Sequence, residues 1–258
     1  DGYYTINDFN ADDAKHKTWT LKEGVVKING YNPQPGDVKF KDLRPDGVIN
    51  AGDNTVDNPG DRKIIGNDAA RYQFGISLGA SYKGWSLEVL LQGVGKRDYW
   101  LGGPAMFPFG GAGAGDAVFQ ALYANQTDYW RAKSYDPSSS DYMVPVNPDS
   151  KLFRIYDQGN NVGSNTRVSD KYLQNAAYMR IKNITLAYTL PKEWVRRAFI
   201  QDAKFYLSIE NLATFSSLPK GYDPEGTAPS STANALSNGI SWGYPYCRTI
   251  SLGASITF

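Results

Sequence analysis

From Tyr72 to Tyr82 the chain alternates without a break. Tyr72, Phe74, Ile76, Leu78, Ala80 and Tyr82 take one parity; Gln73, Gly75, Ser77, Gly79 and Ser81 take the other. Successive side chains of a strand point to opposite faces, so this is a two-faced strand. Its length matches the ~9–11 residues that a tilted strand needs to cross a bilayer. A soluble strand usually carries Lys, Glu or Arg on its wet face. Here the polar face is small and uncharged, which suits a barrel wall with apolar residues turned to lipid and small polar ones turned inward. A strand of a soluble sandwich or barrel has the same period and stands as the alternative.

The pattern recurs. Lys83-Gly84 reads as a tight turn, and Trp85, Leu87, Val89 and Leu91 carry the apolar face of the returning strand. Ile184, Leu186, Tyr188 and Leu190 alternate with Thr185, Ala187 and Thr189, and Pro191 ends that strand. Phe205, Leu207 and Ile209 oppose Tyr206, Ser208 and Glu210. The chain closes on "RTISLGASITF", with Ile250, Leu252, Ala254, Ile256 and Phe258 against Thr249, Ser251, Gly253, Ser255 and Thr257. The expected strands lie near 72–82, 85–94, 178–190, 204–212 and 249–258. Tyr72, Tyr82 and Trp85 fall at strand ends, where amphipathic rings belong at a membrane interface. Glu88 and Glu210 take the inner parity, which avoids the few kcal/mol that a charge facing lipid costs. Arg180 and Lys182 break the rule, because they share the parity of the apolar residues. Either they lie above the apolar band, or a bulge shifts the register there. After Pro191, Trp194, Val195, Ala198 and Phe199 fall at helical spacing, so a short helical connector is expected.

Connections between these strands alternate in length. Lys83-Gly84 and about a dozen residues after Pro191 are the short ones. Roughly 80 residues from Gly95 to Ala177 and about 35 from Ala213 to Cys247 are the long ones. Outer-membrane barrels have short periplasmic turns and long external loops, whereas structureless connections of that length count against a compact soluble domain. With the C-terminus in the periplasm, everything before Arg71 begins as an external loop region, with room for a strand or strands of its own.

Composition narrows the alternatives. A net charge of +1 gives no support for a nucleic-acid partner. One cysteine, Cys247, excludes an internal disulfide framework, and one histidine, His16, excludes a site with two histidine ligands. No run of about 18 apolar residues offers a transmembrane helix. The abrupt start at "DGYYTINDF", with no initiator Met or signal peptide, reads as a processed segment or as the visible part of something longer.

The residues also carry a family likeness. "PGDVKFKDLRPDG" and "DRKIIGN" between Pro35 and Asn67, "YQFGISLGASYKGWSLEVLLQGVGKRD" from Tyr72, "YLQNAAYMRIKNITLAYTLPKEW" from Tyr172, "ENLATFSSLPKGYDPE" from Glu210 and "YPYCRTISLGASITF" from Tyr244 resemble the C-terminal part of SusC/RagA-like TonB-dependent transporters. The resemblance implies an outer-membrane importer of nutrient oligomers, glycans or peptides, with a 22-stranded antiparallel barrel and an N-terminal plug domain. It also implies a SusD-like surface lipoprotein as partner and TonB as the source of energy. No plug and no segment for TonB are expected in this chain, so the rest of the barrel should come from further polypeptide. No enzymatic role is implied. A terminal Phe258 resembles the signal read by the barrel-assembly machinery.

Candidate sites are few. Asp42, Asp46, Gly47, Asn50 and Asp53 have the spacing of an EF-hand loop and suggest a calcium site, although Arg44 stands where a ligand belongs. The alternative is a turn-rich loop capped by its own Asp and Asn side chains. Tyr99, Trp100, Tyr123, Tyr129, Trp130, Tyr135, Trp242 and Tyr244 in the long connections could stack on sugars or pack against a partner. The glycine-rich stretch from Gly102 to Gly115 lacks the lysine of a phosphate loop. Asp136, Asp141 and Asp157 cannot be paired into a glycosidase site from sequence. A soluble carbohydrate-binding β-sandwich is the alternative of another class.

Overall fold

The computed structural model describes residues 2–10, 18–100, 106–107, 122–155, 162–226 and 246–258. The chain divides into two compact units.

One unit is a five-stranded antiparallel sheet in the order β1–β2–β5–β6–β7. Its strands are β1 (Arg71–Tyr82), β2 (Trp85–Lys96), β5 (Tyr178–Thr189), β6 (Asp202–Ser216) and β7 (Thr249–Thr257). A two-stranded ribbon, β3 (Asp98–Trp100) with β4 (Leu173–Asn175), adjoins the ends of β2 and β5 in sequence. Lys83 and Gly84 both take positive φ, 47° and 86°. That is the type I′ geometry whose twist matches a two-residue hairpin. β5 and β6 are joined by α1 (Lys192–Val195) and a 3₁₀ turn (Arg196–Ala198), the helical connector expected from sequence.

Cross-strand register sorts side chains into rows. Leu78, Val89, Ile184, Ile209 and Ile250 form one row, and Ala80, Leu87, Leu186, Leu207 and Leu252 the next. Tyr82, Trp85, Tyr188, Phe205 and Ala254 close the face at the turn end. The other face carries Gly79, Glu88, Thr185, Ser208 and Ser251. Thr185 Oγ1 lies 3.0 Å from Ser208 Oγ, so the small polar residues bond across the strands. The apolar face is open: Leu78 is 55 %, Leu186 40 % and Leu252 85 % exposed. None of the three is tucked into a dry core.

The exception at Arg180 is resolved by a bulge. Leu90 pairs with Asn183 and Leu91 with Ile181, so Lys182 is an extra residue against β2. Opposite it in β6, two residues, Asn211 and Leu212, fill the gap between the pairs Ile181–Ala213 and Asn183–Glu210. Asn211 takes φ 51°, a left-handed conformation of the kind that one class of bulge uses. The slip returns Arg180 to the polar face, opposite Gln92 and Thr214, while Ile181 joins the apolar rows.

No closed barrel forms among the described residues, where β1 and β7 are the two sheet edges. No helix there is long and apolar enough to cross a membrane.

The other unit draws on the residues before position 66 and on those between β3 and β4. It has few regular elements, yet a real core of Tyr4, Phe9, Phe107, Trp130, Met143 and Phe153. Buried Asp37 ties distant segments together. It accepts hydrogen bonds from Tyr31 Oη (2.7 Å), the Gln34 amide (2.7 Å) and Asn165 Nδ2 (2.8 Å). Asn165 Oδ1 in turn accepts the Val38 amide at 2.7 Å. Buried polar groups hold only when satisfied in this way.

Candidate functional site

The sheet has two chemically distinct faces, each a candidate surface. On the apolar face, rows of Leu, Ile and Val are flanked at the turn end by Tyr82, Trp85, Tyr188 and Phe205. Trp85 and Tyr188 pack with ring centroids 4.7 Å apart. An apolar band edged by aromatic rings is what a strand sheet presents to lipid.

On the polar face, toward the other end of β5, Arg180 is the centre of a buried network. Its Nη2 donates to Asp223 Oδ1 at 2.6 Å, its Nη1 to Glu225 Oε2 at 2.9 Å and its Nε to Thr214 Oγ1 at 2.8 Å. Lys182 Nζ reaches Glu225 Oε2 at 2.9 Å, and Tyr178 Oη donates to Glu225 Oε1 at 3.2 Å. Asp223 also accepts the amides of Glu225 and Tyr246. The Tyr246 ring lies under both cations, 5.1 Å from Arg180 and 4.6 Å from Lys182. Burial would raise the pKa of Asp223, but the Glu225 amide, the Arg180 guanidinium and the Tyr246 amide outweigh it and hold the carboxyl below its ordinary value. Two cations face two carboxylates, so the cluster is close to neutral. It fastens the turn Asp223–Glu225 onto the polar face of the sheet. Sequence reading missed both carboxylates. The signal was present at the two cations off the strand's parity, which need anionic partners once they turn inward.

The residues singled out from sequence are scattered. Tyr99 is buried on β3 with the Arg97 guanidinium 5.4 Å from its ring, and Trp100 stands edge-on to Tyr172 at 6.1 Å. In the other unit Trp130 is fully buried, a core residue rather than an open stacking surface, and Tyr129 is half-buried. Tyr123 and Tyr135 are exposed. Trp242, Tyr244, His16, Asp157 and most of the glycine-rich stretch lie outside the described residues. Phe258 is exposed, one residue beyond β7.

In the EF-hand-like stretch the side chains serve their own backbone. Asp42 accepts the amides of Arg44 and Gly47, Asp46 that of Val48 and Asn50 that of Gly52, each at 2.7–3.0 Å. Asp53 accepts from Asn58 Nδ2 at 2.8 Å. The hub is Asp61, which sequence reading did not single out; it accepts the amides of Leu43, Arg44 and Asn50. Among the described residues no group of three or more His, Cys, Asp or Glu side chains is disposed to hold a metal ion.

Comparison with known proteins follows the same line as the sheet. Over 241 residues, 92 % of its length, the chain is 26 % identical to TonB-dependent receptor P3 of Formosa agariphila. The chain is similar to TonB-dependent receptors. TonB-dependent receptor P26 of the same organism is 24 % identical over 93 % of the chain. The chain spans about a fifth of the length of these curated relatives, 20 % of the first and 22 % of the second. No family model matches. Among solved structures, one of the RagAB peptide importer in an open-open state covers 72 % of this chain and 17 % of its own, at 22 % identity and a TM-score of 0.40. The closed-closed state of that importer gives 23 % identity and 0.43 over the same shares. The similarity to TonB-dependent receptors runs through both units, since it leaves less than a tenth of the chain uncovered.

Proposed function

We propose that the chain forms part of the barrel wall of an outer-membrane, TonB-dependent importer of nutrient oligomers. The observation that carries this reading is the register of the sheet: every apolar row runs across its strands on one face, and that face is exposed. In water such a surface would drive aggregation; against acyl chains it is satisfied. β1 and β7 need further strands, because an unpaired backbone group in lipid costs several kcal/mol. Those strands come from polypeptide beyond this chain and complete a barrel of the 22-stranded type, with a plug that engages TonB.

In this reading the turns at Lys83-Gly84 and Lys192–Ala198, and the C-terminus, face the periplasm. The long connections face outward, where a SusD-like lipoprotein would cover them. The proposed cargo class is glycans, with peptides as the alternative. Transport is the work of moving parts, and the chain has no catalytic part in it. The exposed ring of Tyr135 and the half-buried ring of Tyr129, with Trp242 and Tyr244, are the proposed contacts to cargo or lipoprotein.

The test is fractionation of the natural protein. It should sediment with outer membranes, migrate differently on gels with and without heating, and co-purify with a lipoprotein. A protein that stays in solution without detergent, as a monodisperse species, would sink the proposal.

A further inference from the structure

The connection from β5 to β6 holds two rings that stand open among the described residues. α1 packs against β6, with Val195 and Ala203 buried. Trp194, beside Val195, is nevertheless 62 % exposed, and Phe199 is 92 % exposed. Phe199 sits at φ 59°, ψ 28°, a left-handed position at the end of the 3₁₀ turn. Helices that end this way normally place glycine there, because a bulky side chain is strained in that conformation. The backbone therefore carries strain to hold a large apolar ring out of the protein.

The surroundings are basic. Lys192, Arg196 and Arg197 are exposed in the same connection, against Glu193 within it and Asp202 at the start of β6. The neighbouring hairpin turn adds Lys83; the Thr189 amide bonds the Gly84 carbonyl at 2.8 Å, which sets the two connections side by side. This is also the end of the sheet where Tyr82, Trp85, Tyr188 and Phe205 close the apolar face.

We infer that this connection is an anchor for the headgroups of anionic phospholipids, with Trp194 and Phe199 at the acyl boundary and Lys192, Arg196 and Arg197 on the phosphates. The inference rests on the reading of the apolar face as lipid-facing. Cations beside interfacial rings are attracted to an anionic leaflet, and the adjoining apolar band favours a lipid surface over an acidic peptide.

The test uses the natural protein in its full-length form, reconstituted into vesicles of phosphatidylcholine mixed with phosphatidylglycerol. Emission from Trp194 is isolated by difference from Trp194→Phe, and Leu186→Trp reports the middle of the apolar face. Lipids brominated high on the acyl chain should quench Trp194, and lipids brominated deeper should quench the Leu186→Trp reporter. Quenching of the reporter without quenching of Trp194 overturns the anchor and leaves the barrel reading standing. Quenching of neither overturns the barrel reading and the anchor with it. In the same vesicles the double variant Arg196→Gln, Arg197→Gln should retain less phosphatidylglycerol, by about 5-fold per charge removed at low salt; undiminished retention refutes the headgroup assignment. Phe199→Gly separates a lipid role from a packing role. It should resist denaturant better, because strain is relieved, while Trp194 quenching falls. A variant that is less stable, with quenching unchanged, assigns Phe199 to internal packing and defeats its place in the anchor.

Discussion

Arg180 Nη1 donates to Glu225 Oε2 across 2.9 Å, joining residues 45 apart in the chain. Both side chains are nearly buried, 2 % and 11 % exposed. Removing one partner of a buried pair leaves an uncompensated charge and costs roughly 3–5 kcal/mol. Arg180→Met should therefore free the turn at Asp223–Glu225 and expose the chain to trypsin after Lys220. Adding Asp223→Asn and Glu225→Gln should restore part of the stability, because no buried carboxylate is then stranded and Lys182, which loses its partner, is part-exposed. Unchanged proteolysis in the single variant would show that the turn is held by something else.

The two faces of β7 give opposite expectations for neighbouring residues. Leu252→Arg places a charge among the apolar rows and should reduce assembled protein in the membrane, by a cost of about 2–4 kcal/mol. Ser251→Lys points to the polar face and should be accepted. Both residues are exposed in the sheet, so for a soluble protein the two variants would behave alike. Heat-modifiable migration of the outer-membrane fraction distinguishes the cases.

Gly36 should not tolerate a side chain. Its φ is 91°, and an added Cβ would lie 2.7 Å from the Trp130 ring and from Arg154 Cβ. Its amide and carbonyl bond Tyr4 and Arg154, so the backbone is not free to retreat. Gly36→Ala should cost roughly 1–3 kcal/mol, seen as a lower denaturation midpoint and faster hydrogen exchange at the Arg154 amide. A neutral outcome would mean that Trp130 is less tightly packed than its burial indicates.

The loop-rich unit should lose stability in acid. Burial works against charge at Asp8, but Lys39, 2.7 Å away, and the Thr5 amide outweigh it and lower the pKa below 3.8. Burial likewise opposes the charge at Asp61, where the amides of Asn50, Arg44 and Leu43 prevail and lower its pKa from 3.8. A carboxyl with a depressed folded pKa contributes stability above its unfolded pKa and loses it as the pH falls through the folded value. Urea midpoints should stay flat from neutral pH to about pH 5 and fall below about pH 4. Asp61→Asn should flatten part of that slope. A midpoint that rises on acidification would reverse the sign and refute the account.

Much of the sheet could be read from the residues because alternation is a local property. The period-two stretches at 72–82 and 249–258 coincide with β1 and β7 almost residue for residue, and Lys83-Gly84 has the positive φ values that its turn requires. The bulge at Lys182 was one of two readings open from parity, and register decided between them. The loop-rich unit was not readable. Its core is joined by contacts far apart in sequence, such as Phe9 to Tyr142 by way of the Trp19 ring and Tyr3 to the Ser150 carbonyl, with almost no periodic structure to announce them. For the same reason Trp130 looked like a surface ring, although the ring is enclosed. The partners of Arg180 were hidden because Asp223 and Glu225 lie in a turn with no period at all.

One residue, Lys182, lets β5 serve two masters. Below it the strand's polarity follows one phase, and above it the opposite phase, like a zip re-engaged one tooth along. Deleting Lys182 would make Asn183 and Ile181 consecutive against Leu90 and Leu91, so the ladder to β2 would close up with Arg180 still on the polar face and Ile181 still in the apolar rows. A single-codon loss here should therefore be borne better than one at Thr185 or Ala187, where the ladder is regular and the shift would turn every residue on one side of the gap to the opposite face.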